Sequence, residues 1–472
     1  MRDMPLPCNW ERNLAMTNNW PQSVMESIRT SQLLRVLLIG FLILLLQIPI
    51  VMIRGVIWER EETRNKAVGE VTSSWGGNQS IVGPRVTIPY LHHWMEKRTS
   101  GNRVESFTHT ETRYATFLPE TLNITGTTAS EVRYRGIFQV PLYTLSLTVS
   151  GQFFRPDFSA WGTSADDILW EQAYLSLGVS DSKGIIEQAI LNWNDGELGF
   201  FPGSGESSGA SSGIHVPLGQ ALEGEVFDFS FPLAVNGSEG VFFMPFGRET
   251  KVTLTSDWPD PSFKGNWLPS EHSVKADGFE ATWSIPFLGR NYPQQWETRS
   301  DFKEAVDASQ FGVKFLVPID HYRMGHRSVK YAALFVVLTF MTLWLFEILS
   351  GVRIHPLQYL LLGAGISVFY LLELSLAEHL GFVAAYIVAS SSIVLLLAAY
   401  SAVVLKSSKK AFIVGGITAV LYGYLYIVLR SQDYALLIGS IGLFVVIAVV
   451  MYLTRKINWY GLKTQLGASA DK

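Results

Sequence analysis

The stretch "LLRVLLIGFLILLLQIPIVMI" (Leu33–Ile53) decides how the rest of the chain is read. Only Arg35 and Gln47 interrupt its apolar character, and about 20 such residues cross the hydrocarbon core of a bilayer as a helix. The run is too long for a secretory signal and lacks a small-residue cleavage pattern. It reads as a retained anchor, with Pro49 tolerated in its last turn. Five more apolar runs follow at 330–349, 357–376, 381–405, 411–429 and 434–453. Residues 54–329, between the first run and the second, are rich in charge, glycine and proline. The expected fold is a membrane protein of the α+β class. Six transmembrane helices carry a large antiparallel β-rich domain between helices 1 and 2.

The lysines and arginines of the short loops set an orientation. Arg2, Arg12, Arg29 and Arg35 precede or open the first run; Arg353, Lys406, Lys409 and Lys410 fall on the same side, as do Arg455, Lys456, Lys463 and Lys472. The opposite loops carry none around Glu378 and only Arg430 before the last run. Both tails, 1–32 and 454–472, are therefore expected in the cytoplasm, with 54–329 outside. Trp58, Tyr422 to Tyr426, Trp459 and Tyr460 fit interfacial belts. Ser390 to Ser392 and the pair Gly415, Gly416 suit close helix packing.

Residues 54–329 alternate with period two in many short runs. Tyr143, Leu145, Leu147 and Val149 share one face of a strand, as do Phe227, Phe229, Phe231, Leu233 and Val235. "NGSEG" (Asn236–Gly240) turns the chain, and Asp277-Gly278 signals a hairpin followed by Phe279, Ala281, Trp283 and Ile285 on one face. Many such strands imply antiparallel sheets packed as a sandwich or open barrel.

Composition excludes several functions. A net charge of -4 argues against a nucleic-acid binder. The single cysteine, Cys8, allows no internal disulfide framework, and no apolar run precedes it as a lipoprotein signal requires. G-x-S-x-G occurs twice, at Gly205–Gly209 and Gly209–Gly213, but within low-complexity Gly/Ser sequence that lacks the strand–turn–helix setting of a nucleophile elbow. His92 and His93 are adjacent, so on a strand they point to opposite faces and cannot share a metal. No catalytic residue, metal ligand or cofactor is expected.

"LTSDWPDPSFKGNWLP" (Leu254–Pro269) stands out. Its prolines and glycine argue against a regular strand or helix. The dense aromatics of such a loop must be buried or bind something. Trp258, Pro259, Pro261, Phe263 and Trp267 are thus candidates for a clasp over the core or a recognition surface. "LLELSLAEHLGF" (Leu371–Phe382) sets Glu373, Glu378 and His379 in an apolar run. With the third span ending near 376, Glu378 and His379 fall in an external turn, where they would either hold that turn against the β domain or serve only as a solvated helix end. Glu373 lies about one turn inside, free to lean outward or to stay protonated, so that no relay is needed to explain it.

Several strings together resemble the CreD family of bacterial inner-membrane proteins, known for a part in cell-envelope integrity. They are "IVGPRVTIPY" (Ile81–Tyr90), "FLPE" (Phe117–Glu120), "GIHVPL" (Gly213–Leu218), Leu254–Pro269, "YRMGHRSVKYAALFVVLTF" (Tyr322–Phe340), "RIHPLQYLLLG" (Arg353–Gly363) and Phe369–Phe382. The resemblance runs from about residue 32 to 460. It implies a multi-pass protein of the bacterial inner membrane, in a regulon under two-component control and linked to tolerance of envelope-active agents. It implies no enzymatic activity. The tail before residue 32 is longer than the family pattern, and position 373 is usually apolar there. The expected partners are the lipid bilayer and an envelope protein or cell-wall component met through the external domain. The alternative is a transporter or membrane-embedded enzyme built on the helix bundle, which needs polar groups facing the bundle interior.

Overall fold

The computed structural model describes residues 32–100, 103–205, 212–297, 302–315, 321–350, 354–431 and 434–455. The chain divides into a helical unit, residues 1–61 with 319–472, and a β unit, residues 62–318. In chain order the helices are α1 (Gln32–Trp75), α2 (Lys303–Ala308), α3 (His321–Lys330), α4 (Ala332–Ser350), α5 (Pro356–Leu380), α6 (Phe382–Val404), α7 (Ser408–Arg430) and α8 (Ala435–Thr454).

Five of these, α1 and α5 to α8, are long and apolar enough to cross a membrane. α3 and α4 meet at a 45° bend and make a sixth if the pair is one span. The first helix runs on past the expected end of the first span: α1 has 44 residues, with Pro49 in its interior. Proline inside a helix removes one hydrogen bond without ending it when neighbouring helices hold the segment. Beyond Ile53 no proline intervenes before Trp75, and the Glu, Arg, Lys and Ala residues favour continuation despite Gly55 and Gly69. α5 likewise extends to Leu380, where Gly381, at φ 77°, ends it and opens α6. Small residues let helices approach closely. A methyl group at Gly363 would lie 2.1 Å from Leu46 of α1, and one at Gly415 would lie 3.0 Å from Ala398. No atom lies within 4 Å of a methyl group placed at Gly416, and Ser391 and Ser392 are exposed while Ser390 is half-buried.

The β unit holds a nine-stranded and an eight-stranded sheet. Phe153, Phe227, Phe231, Trp283 and Phe311 are among its largest fully enclosed side chains, and one core cluster draws on both sheets. The Tyr143 hydroxyl of the eight-stranded sheet donates to the Gly240 carbonyl of the other at 2.7 Å. The alternating positions face inward as expected: Leu145, Leu147, Val149, Phe229, Leu233, Val235, Phe279, Ala281 and Ile285 are all buried. The hairpin lies where Asp277-Gly278 signals it, joining Glu271–Lys275 to Gly278–Pro286. At "NGSEG" the chain passes from one sheet to the other through Glu239, at φ 62°.

Two pairings correct the expectation of purely antiparallel sheets. Gln79–Ile81 runs parallel to Val241–Phe243, and Glu249–Ser256 runs parallel to Thr121–Thr128. A parallel pair requires a long connection, and here the chain visits other strands in between. Alternation reports which face is buried but not which neighbour is met. A second correction concerns Pro261–Gly265, which is a strand after all. It pairs antiparallel with Phe311–Phe315 at the edge of its sheet, where a proline at the first position costs no ladder bond.

Candidate functional site

The polar chemistry of the helical unit gathers on α3 and α5. The two run antiparallel: Tyr322 faces Glu378 and, two turns on, Ser328 faces Glu373. Glu378 is held by Arg60 of α1 in a two-pronged pair, with Nε and Nη2 each 2.8 Å from one carboxylate oxygen. The Tyr322 hydroxyl donates to the same group at 2.8 Å. Such fork-to-fork pairing fixes geometry as well as charge. His326 of α3 adds a contact to Glu61 of α1 at 3.0 Å. Glu378 and His379 therefore sit in the last turn of α5 rather than in a turn beyond it. The partners of Glu378 belong to the helical unit, and the His379 side chain is exposed.

Near the other end of the helices, Glu347 of α4 pairs with Arg35 of α1, accepts from the Tyr359 hydroxyl at 3.1 Å and from the Ile354 N–H at 3.4 Å. Arg353, one of the loop cations used for the orientation, lies outside the described residues.

Glu373 differs from both. It is 2% exposed and turned into the bundle, so of the two expected arrangements the outward-leaning one does not hold. The Ser328 hydroxyl donates to its Oε2 at 2.7 Å, while Oε1 has no hydrogen-bond partner among the described residues. The hydroxyls of Tyr370 and Tyr422 are likewise enclosed and without a partner there. The Tyr386 hydroxyl donates to the Tyr422 carbonyl at 2.6 Å. Phe369 packs these rings together, at 4.9 Å from Tyr370, 5.5 Å from Tyr386 and 4.6 Å from Tyr422. Tyr422, expected in an interfacial belt, is thus an interior residue. Its neighbours Tyr424 and Tyr426 showed only that aromatics cluster there; helix phase decides which of them points inward.

In the β unit, Trp258, Phe263 and Trp267 are half-buried against the core. Trp258 packs on Phe315 at 6.2 Å, Phe263 on Trp283 at 5.8 Å, and Trp267 on Phe311 at 6.2 Å. The Trp283 indole N–H donates to the Trp267 carbonyl at 3.3 Å. Pro259 is exposed and Pro261 half-buried. His92 and His93 go separate ways as strand geometry requires: His92 stacks on Trp94 at 6.1 Å, and His93 bridges Thr110 at 2.8 Å and Asp167 at 3.1 Å. Tyr90, fully enclosed, donates to Glu297, and burial together with that carboxylate pushes its phenol up to about 12. Among the described residues no three His, Cys, Asp or Glu side chains come together as a metal site. The Gly/Ser stretch 206–211, with most of the G-x-S-x-G matches, lies outside the described residues.

Residues 31–460 match the family model described as inner membrane protein CreD. The chain is 34% identical over 421 residues to the inner membrane protein CreD of Escherichia coli (strain K12), covering 89% of this chain and 91% of that protein. The chain belongs to the CreD family. The matched span runs from before α1 to beyond α8, so the β unit and all the helices described above lie within it. This CreD-family chain is accordingly a multi-pass protein of the inner membrane, in contact with the lipid bilayer through its apolar helices.

Proposed function

We propose that this protein supports cell-envelope integrity and the response to envelope stress without enzymatic catalysis, by presenting its β unit on the periplasmic side of the inner membrane. In this reading there are six spans, the bent α3–α4 pair counting as one, and both termini lie in the cytoplasm. The carrying observation is the β unit itself: some 250 residues with their own core, inserted after a single apolar helix in a chain of the CreD family. The uneven distribution of Lys and Arg among the short loops supports the orientation.

Contact with an envelope protein or cell-wall component is assigned to the segment from Trp258 to Trp267. Its strand Pro261–Gly265 is at a sheet edge, and an edge offers unpaired N–H and C=O groups to an added strand. The three aromatic rings packed on the core hold that edge in shape, and Leu268 beside it is 72% exposed. Glu378 acts in this reading at the end of α5, fixing α1 through Arg60 and α3 through Tyr322 rather than binding a ligand. The test is site-specific photocrosslinking in cells from Lys264 and Leu268. Adducts with a periplasmic protein or with cell-wall material are expected; adducts with cytoplasmic proteins alone would overturn the reading. Activity within the helix bundle is favoured by one observation, the enclosed Glu373.

A further inference from the structure

Three carboxyl groups lie in α4 and α5, and two of them, Glu347 and Glu378, each have an arginine. Glu373 has none. An ionised carboxylate taken out of water without a cation is among the most costly groups a protein can enclose, and it ordinarily takes up a proton instead. In helices that meet lipid, an enclosed ionisable group is by default a candidate functional site.

The neighbours of Glu373 are hydroxyls. Ser328 donates to Oε2 and can do so whether or not the acid carries a proton. Tyr370 lies one turn before it on the same helix face, and its hydroxyl and that of Tyr422 are enclosed and unpartnered among the described residues. Glu373 lies close enough to act electrostatically on Tyr370, Tyr386 and Tyr422. Neither the Tyr370 nor the Tyr422 hydroxyl is hydrogen-bonded to Oε1 in the structure; one that turned to reach it would serve both states, donating to a charged Oε1 and accepting from a protonated one. The cations of α3 are engaged or directed elsewhere. His326 meets Glu61, Arg327 donates to the carbonyls of Val428 and Ser431, and Arg323 and Lys330 are exposed. Along α5 the next charge, Glu378, is neutralised by Arg60.

We propose that Glu373, with Ser328, Tyr370 and Tyr422, is a proton-binding site inside the helical unit. The carboxylate takes one proton from water and becomes the neutral acid; the reverse step returns that proton to water. A proton suits the site better than a metal cation, because one carboxyl and three hydroxyls offer few oxygens and a single charge. The site also sits beside the α3–α4 bend: Ser328 is three residues before Tyr331, where the two helices part at 45°. The Ser328–Glu373 bond ties the bent piece to α5, so the proton occupies the point at which that piece is held. This inference stands whichever side of the membrane the β unit faces.

The experiment uses the full-length protein in native membranes and the apolar probe dicyclohexylcarbodiimide, which reacts with protonated carboxyl groups in apolar surroundings. Peptide mass spectrometry should find the adduct on Glu373, more than tenfold above Glu347 or Glu378, and decreasing as pH is raised. Ser328→Ala should keep the adduct while moving the pH of half-labelling, which a role in packing alone would not do. Wild-type protein that leaves Glu373 unlabelled would overturn the proposal, as would labelling independent of pH. Protection by sodium but not by potassium at constant pH would overturn it too, in favour of a metal-cation site.

Discussion

Glu373 and Glu378 are five residues apart on α5, and their surroundings give them opposite chemistry. Both were visible in the sequence as charges in an apolar run. Their partners were not, because Arg60 is 318 residues from Glu378 and Ser328 is 45 from Glu373. Nor does spacing on one helix say which side faces the bundle interior; that depends on where α3 packs. Of the two expectations for Glu373, leaning outward is ruled out by this packing, and His379 lies in the last turn of α5 with its side chain exposed. Arg60→Ala and Glu378→Ala should each lower the stability of the helical unit by about 1–2 kcal/mol, the range of a charge-assisted bond that remains partly solvated. The double variant should cost less than the sum, because the two groups act on each other. Thermal unfolding in detergent, followed by α-helical circular dichroism, measures this. Strict additivity would show that the pair contributes nothing. His379→Ala, on an exposed side chain, should be silent.

At the scale of elements, the strands were the most legible part. Period-two alternation picked out the buried faces of Phe138–Phe154, Val226–Ser238 and Gly278–Pro286, because burial of one face is itself what selects those residues. Pairing was not legible, since two parallel neighbours join strands more than a hundred residues apart in the chain. The edge strand at Pro261 was hidden for a related reason: proline weakens a strand only when its missing N–H would have met a neighbour. The helices run on past the expected spans at 53 and 376, because hydrophobicity stops there but helical propensity does not. One glycine reports on the strand pairing directly. A methyl group at Gly151 would lie 1.9 Å from the Thr121 carbonyl oxygen, on the neighbouring strand. Gly151→Ala should therefore push the two strands apart and destabilise the β unit by about 1–3 kcal/mol, the usual cost of overpacking. Thermal unfolding followed by tryptophan fluorescence would register the loss, and an unchanged transition would contradict the pairing of Thr121–Arg135 with Phe138–Phe154.

For the whole molecule, the sequence shows its two-part organisation plainly, because a bilayer demands long apolar runs and a water-exposed sheet demands alternation. The bend between α3 and α4 was less plain: α3 is charged, and only its pairing with α4 makes a span of suitable length. The central claim is that the β unit stands on the opposite side of the membrane from the α6–α7 loop. In a Cys8→Ser background, Ser273→Cys places a thiol on an exposed strand of the β unit, and Ser408→Cys places one at the exposed start of α7 while sparing Ser407, which caps that helix. With the outer membrane permeabilised and the inner membrane intact, an impermeant thiol reagent should label the cysteine at 273 fully. The cysteine at 408 should react only after the inner membrane is opened. Labelling at 408 before opening, with none at 273, would contradict the account.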